Sequence, residues 1–182
     1  MKKFFSILLI FALSCNSDYT PKPKGYFKLD LPKKTYIEYK SDCPFSFSYP
    51  TYSIVEELES CMLNINFLSF NAKLHITYLP LSNNLYSHIE QSRNLAYKHN
   101  IKANMISEEV FVHNDKNVFG MLYDYDGLTA TAAQFYLTDS IHHFFRGALY
   151  FNTEVNDSIL PINNFLKQDI RIFIESFDWK DK

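Results

Sequence analysis

Glycine is scarce in this 182-residue chain, which has only four. A phosphate loop or dinucleotide turn needs several glycines where backbone amides close on an anion, and neither fingerprint occurs. There is no Gly-x-Ser-x-Gly elbow to carry a serine nucleophile and no Cys-x-x-Cys pair to carry redox chemistry. A large excess of charge of one sign is missing too. Lys and Arg number 18 against 20 Asp and Glu, a formal net charge of -2, which gives no basic surface for nucleic acid. The apolar run from Phe4 to Leu13 covers about ten residues, half of the roughly 20 that a helix needs to cross a bilayer. What the chain does have is aromatic mass. Phe (17) and Tyr (13) raise the aromatic share to 17%, a composition that favours strands with ring-packed cores over disorder.

The amino terminus carries the clearest local signal. Met1-Lys2-Lys3, the apolar run and Ala12-Leu13-Ser14-Cys15 together read as the export signal of a bacterial lipoprotein. On this reading residues 1–14 are removed and Cys15, diacylated on sulfur, becomes the first residue. Such signals usually carry Leu three residues before the cysteine, where this chain has Ala12. An ordinary secretory signal with a chance cysteine, or an uncleaved anchor, is the alternative. Loss of Lys2 and Lys3 takes the formal charge from -2 to -4. Asn16 is not the Asp that retains such proteins in the inner membrane, so the expectation is an outer-membrane anchor facing the periplasm. Residues 15–25, with Pro21 and Pro23, read as an extended tether, and residues 26–182 as a single domain.

Beyond the tether, period-two alternation dominates. Phe45, Phe47 and Tyr49 share one strand face, as do Leu63, Ile65 and Phe67, and then Leu74, Ile76 and Tyr78. The pattern predicts a hairpin in which Phe45–Tyr49 pairs with Ser53–Leu58 around Pro50-Thr51-Tyr52. That hairpin would bring Cys43 and Cys61 together, leaving either a disulfide, which an exported protein can keep, or two free thiols. A helix is expected over 83–99, with Leu85, Ile89, Ser92 and Ala96 on one face. Four strands follow near 108–113, 118–125, 129–138 and 142–151, joined by turn signals that make them an antiparallel meander. The last element is a helix capped by Asp157 or Ser158, with Pro161 in its first turn and a stripe of Ile159, Ile162, Leu166, Ile170, Phe173 and Phe177. This order predicts an α+β fold, an antiparallel sheet with helices packed against it.

Candidate sites are few. His142 and His143 are adjacent on a strand, point to opposite faces and make a poor metal pair, and no other His has a ligand at suitable spacing. Asp124-Tyr-Asp126-Gly127 begins like a calcium loop but lacks its later ligands, so a tight turn explains it better. No metal, cofactor or small-molecule substrate is expected. Glu56-Glu57-Glu59 and Glu108-Glu109 read as solvated strand faces. Asp139-Ser140-Ile141 and Asp157-Ser158-Ile159 fit an Asp-Ser-aliphatic pattern of periplasmic O-glycosylation, making Ser140 and Ser158 candidate sites; helix capping explains Ser158 equally well. Tyr123, Tyr125, Tyr136, Arg146 and Tyr150 are the expected partner-binding set, because aromatics and Arg anchor interfaces, and packing the sheet is their other reading.

Longer blocks carry a family likeness. Thr20-Pro-Lys-Pro-Lys-Gly-Tyr-Phe-Lys-Leu-Asp-Leu-Pro32, Cys43-Pro-Phe-Ser-Phe-Ser-Tyr-Pro50, Asn94-Leu-Ala-Tyr-Lys-His99, Gln134-Phe-Tyr-Leu-Thr-Asp-Ser140 and Phe145-Arg-Gly-Ala-Leu-Tyr-Phe-Asn152 resemble the gliding motility lipoprotein GldD family. The resemblance implies a non-enzymatic accessory protein of the gliding apparatus and the type IX secretion system that shares its parts. Its partners would be other envelope proteins, and the membrane through the lipid. An envelope enzyme acting on glycan or peptide, and a lipoprotein serving secretion alone, are the competing expectations. Phe45-Ser-Phe-Ser-Tyr-Pro50 and the closing Ile174-Glu-Ser-Phe177 also look like the PsbP-like α/β/α sandwich, a fold-level analogy that carries no function.

Overall fold

A computed structural model of the chain describes residues 29–98, 103–127, 129–153, 156 and 159–180. Cys15, the 15–25 tether, Asp157 and Ser158 lie outside the described residues. The first half supplies β1 (Tyr36–Glu38), β2 (Phe45–Ser46), β3 (Ser48–Pro50), β4 (Ile54–Glu57), β5 (Leu63–Phe67), β6 (Ala72–Pro80) and helix α1 (Leu85–Tyr97). The second half supplies β7 (Met105–His113), β8 (Val118–Asp126), β9 (Thr131–Thr138), β10 (His143–Phe151), helix α2 (Leu160–Ser176) and β11 (Asp178–Trp179). Seven strands form one antiparallel sheet in the order β4-β5-β6-β10-β9-β8-β7, so the fold is α+β.

The meander from β7 to β10 follows the turn chemistry. Asn71 and Asn117 take left-handed conformations at φ 48° and 50°, ending the short 3-10 turns between β5 and β6 and between β7 and β8. In a chain with so little glycine, asparagine does this work, because its short polar side chain tolerates positive φ. Gly127, at φ 100°, follows β8. Gly147 is needed for space: a Cβ there would lie 2.3 Å from the Phe135 ring.

The two helices lie on opposite faces of the sheet, giving three layers. Neighbouring residues on β9 and β10 show the division: Phe135, Leu137 and Phe145 join the core beneath α2, whereas Tyr136 and Phe144 join a smaller core with Ala96 of α1. Covered on both sides, β9 is buried along its whole length. The larger core is built of rings. Phe47 meets Phe173 at 4.2 Å between centroids, and Phe145 meets Phe45 at 5.0 Å and Phe177 at 4.9 Å. Each such pair contributes about 0.5–1.5 kcal/mol beyond its buried area. Ion pairs fasten the outer side of α2: Lys167 to Asp124 at 2.5 Å, and Arg171 to Glu109 at 2.5 Å.

Three expectations need correction. The Phe45–Tyr49 hairpin does not form. Instead β3 pairs with β1 and β2 pairs with β11, while β4 makes its hairpin with β5. Alternation identifies the buried face of a strand but not its neighbour, and Pro50 has no amide to extend a ladder. Secondly, α1 is shorter than expected and begins without a side-chain cap. Thirdly, the N-cap of α2 is Ile159, with no side-chain cap bond, and Pro161 stands in the first turn as expected.

Candidate functional site

Three chain segments converge at one end of the sheet and enclose a cleft of about 650 Å³. The turn after β7 supplies Asp115, Lys116 and Asn117, the turn before β10 supplies Asp139, His142 and His143, and the carboxyl-terminal segment supplies Asp178, Trp179 and Lys180. Asp139 organises the middle turn. Its Oδ1 accepts the backbone N–H groups of Ile141 (3.0 Å), His142 (2.8 Å) and His143 (2.8 Å). Burial pushes its carboxyl up, but those three bonds and the charge of His143 outweigh burial and hold it below the usual carboxylate range. Its Oδ2 faces His142 Nδ1 at 3.3 Å.

The cleft also has an aromatic side. The His143 ring stacks on Trp179 at 4.9 Å, and its Nδ1 shares a 2.8 Å hydrogen bond with the Tyr78 hydroxyl. Trp179 rests edge-on against Phe177 at 4.7 Å, which ties this wall to the main core. The Trp179 indole N–H is buried without an acceptor. Lys180 is held by its own amide to the Pro44 carbonyl at 3.0 Å and by its ammonium to the Ser41 carbonyl. Carboxylates, two ammonium groups and a fixed aromatic wall suit the recognition of polar or charged chain segments. Among the described residues no group of three or more His, Cys, Asp or Glu side chains could hold a metal ion.

The adjacent histidines do not point to opposite faces as expected: His142 lies in the turn before β10, so both rings line the cleft with centroids 6.0 Å apart, His142 pairing with Asp139 and His143 with Tyr78 and Trp179. Ser140 sits exposed at the tip of the Asp139 turn at φ 72°. Its amide bonds to Thr138 Oγ1 at 2.9 Å. Cys43 and Cys61 form a disulfide with Cα atoms 5.7 Å apart. It joins the segment before β2 to the turn between β4 and β5.

The tyrosine set is corrected by burial. Tyr123, Tyr125, Tyr136, Arg146 and Tyr150 all project from the α1 face, but Tyr123, Tyr125 and Tyr136 are 3%, 0% and 9% exposed. Tyr125 donates its hydroxyl to the Ala96 carbonyl at 2.9 Å, and Tyr136 stacks on Phe144 at 5.5 Å. Burial pushes the Tyr123 phenol up to about 12. These three pack α1 onto the sheet and offer no surface. Arg146 and Tyr150 stay half-buried; Arg146 donates to Gln134 Oε1 at 2.6 Å.

Sequence reading missed a second polar centre, midway along α2. Asp169 is buried in the helix face, and its Oδ1 accepts from Lys34 Nζ at 2.5 Å and Tyr36 OH at 2.8 Å, while Oδ2 accepts from Tyr52 OH. Lys34 also donates to the Phe165 carbonyl at 2.8 Å and lies over the Phe165 ring. This cluster clasps the amino-terminal arm to the domain. Its one legible signal is an acid inside the apolar stripe, beside Ile170.

No helix among the described residues is long and apolar enough to cross a membrane. A comparison with curated proteins found no match. Against family models, residues 16–179 match the description gliding motility lipoprotein GldD, so nearly the whole chain falls within that pattern, with the Asp169 cluster and all of the cleft except Lys180. The chain belongs to the gliding motility lipoprotein GldD family.

Proposed function

We propose that this chain is a lipid-anchored, non-enzymatic accessory component of the gliding machinery and of the type IX secretion system associated with it, acting by binding envelope proteins. Acylated Cys15 fixes its location, residues 15–25 set its reach, and the domain presents the binding surface on the periplasmic side of the outer membrane. The observation that carries this reading is the separation of arm and cleft. The arm joins the domain beside Tyr52 and Phe165, while the cleft of Asp139, His143 and Trp179 opens at the other end of the sheet. An anchor at one end leaves the far end free for a partner. Within the cleft Asp139, His142 and His143 are engaged in holding the turn and the aromatic wall, an arrangement suited to recognition rather than turnover.

The test is Cys15→Ser expressed in the native organism. The expected result is a folded, unanchored domain and loss of colony spreading. Wild-type spreading with the variant soluble would refute the anchoring mechanism, and an unacylated amino terminus on native protein would remove its chemical basis.

A further inference from the structure

The arm end of the domain carries an exposed apolar patch. Leu29 and Leu31 on the arm are 40% and 39% exposed, and Leu68, in the turn between β5 and β6, is 71% exposed. Leu29, Asp30 and Leu31 border a shallow groove lined also by Pro32, Tyr52, Ser69, Phe70 and Ile162, and Leu68 precedes Ser69 in the same turn. The patch is rigidly backed. Tyr52 meets Phe70 edge-on at 6.1 Å and Phe165 at 5.7 Å, and the Asn152 amide bonds to the Asn71 carbonyl at 2.8 Å.

What lies in front of this patch follows from the chain that leaves it. Lys34 and Tyr36 are pinned to Asp169, so the arm departs from a fixed point. Upstream of Leu29 the sequence runs back to Cys15, and at about 3 Å per residue that stretch spans about 40 Å at most. A diacylated Cys15 therefore keeps the patch within a few nanometres of the bilayer. Charge along the chain complements this placement: Lys22, Lys24, Lys28 and Lys33 flank Leu29 and Leu31 in sequence, four cations against the single Asp30 in a chain whose formal net charge is -2. Leucines flanked by lysines are the elements of interfacial attachment, apolar side chains entering the acyl boundary and ammonium groups meeting phosphate.

We propose that the Leu29, Leu31 and Leu68 end of the domain docks on the surface of the bilayer that holds Cys15, with an anionic phospholipid headgroup layer as its partner. The proposal rests on the lipid-anchor reading above. Docking fixes the orientation of the domain, because the patch and the cleft occupy opposite ends of β6: Ala72 pairs with Phe151 at the patch end and Pro80 with His143 at the cleft end.

The experiment uses the full mature, acylated chain reconstituted into vesicles of phosphatidylethanolamine and phosphatidylglycerol. An environment-sensitive fluorophore is placed at Leu68→Cys, with Ile141→Cys, 68% exposed at the cleft end, as the reference. Cys43 and Cys61 stay bridged and unlabelled. The expected result is a blue shift at position 68 on reconstitution and quenching by nitroxide-bearing lipid about twofold or more above that at position 141. Protein that floats with the vesicles while position 68 remains as solvated as position 141 would overturn docking and leave the anchor intact. A blue shift already complete in detergent would mean that the arm's own residues cover the groove, and also overturns it. Failure to float would overturn both readings.

Discussion

Replacing Asp169 by Asn tests the clasp on which the arm's position depends. The Asp169 side chain is 1% exposed and that of Lys34 is 24% exposed, so the pair is buried on one side and partly hydrated on the other. Asn keeps the shape and one acceptor, but it removes the charge and turns an N–H donor towards groups that are themselves donors. Tyr36 and Tyr52 stay protonated, because burial first, and then the Asp169 carboxylate, push both phenols up. Removing one partner of a fully buried ion pair costs about 3–5 kcal/mol. Lys34 can regain some water, so about 2–4 kcal/mol is the fitting figure after discounting for its exposure. In a chain of this size each kcal/mol moves Tm by about 2–4 °C, so a fall of roughly 5–15 °C is expected. The assay is urea and thermal unfolding of Asp169→Asn, Lys34→Met and the double variant. Since the two side chains touch, their effects should couple by about 1–3 kcal/mol. A single variant within about 0.5 kcal/mol of wild type, or strictly additive losses, would refute the assignment of this contact as the clasp.

Two further outcomes follow from the same chemistry. The Cys43–Cys61 bridge spans 18 residues of chain. Reducing it, or replacing both cysteines by Ser, should cost about 3 kcal/mol in the chain-entropy account; two titratable thiols in unreduced, denatured native protein would contradict the bridge. Tyr36, Tyr52 and Tyr125 are all raised above 10, chiefly by burial. A group raised in the folded state contributes stability fully below its unfolded pKa and loses it as pH rises, so stability should fall from about pH 10 upward. Absorbance at 295 nm should then show a late tyrosinate step coincident with unfolding; smooth ionisation of every tyrosine near pH 10 in still-folded protein would exclude these buried hydrogen bonds.

Local pattern carried far in this chain, and its limits have physical causes. The meander, the Asn and Gly turns and the α2 stripe were legible because each depends on residues a few positions apart. Strand partners were not. The Phe45–Pro50 segment has the alternation of a hairpin strand, yet it pairs with Tyr36–Glu38 and Asp178–Trp179, contacts that depend on distant chain returning. The tyrosines illustrate a second limit. Period two places Tyr123, Tyr125 and Tyr136 on one face, and only the position of α1 decides whether that face is covered. Likewise the cleft joins three segments that no spacing rule connects. Asp169 was legible only as an anomaly, a charge in an apolar stripe, and such a charge requires a partner that sequence does not name.

The placement of arm and cleft bears on how an anchored domain finds its partner. A nine-residue strand such as β6 is about 30 Å long, so the cleft stands roughly that far beyond the patch. If the proposed lipid anchor were the domain's one attachment, the cleft would be free to sweep a shell whose radius combines the length of the preceding chain with that of the domain. Most orientations within that shell face the cleft away from any given partner. Holding the leucine end on the bilayer removes this freedom and sets the cleft at one height, which raises its effective concentration for a partner at the same height without adding a contact to that partner. Substitutions confined to Leu29, Leu31 and Leu68 should therefore weaken partner association on membranes while leaving the same association in detergent unchanged. Cleft substitutions such as Trp179→Ala should weaken it in both settings.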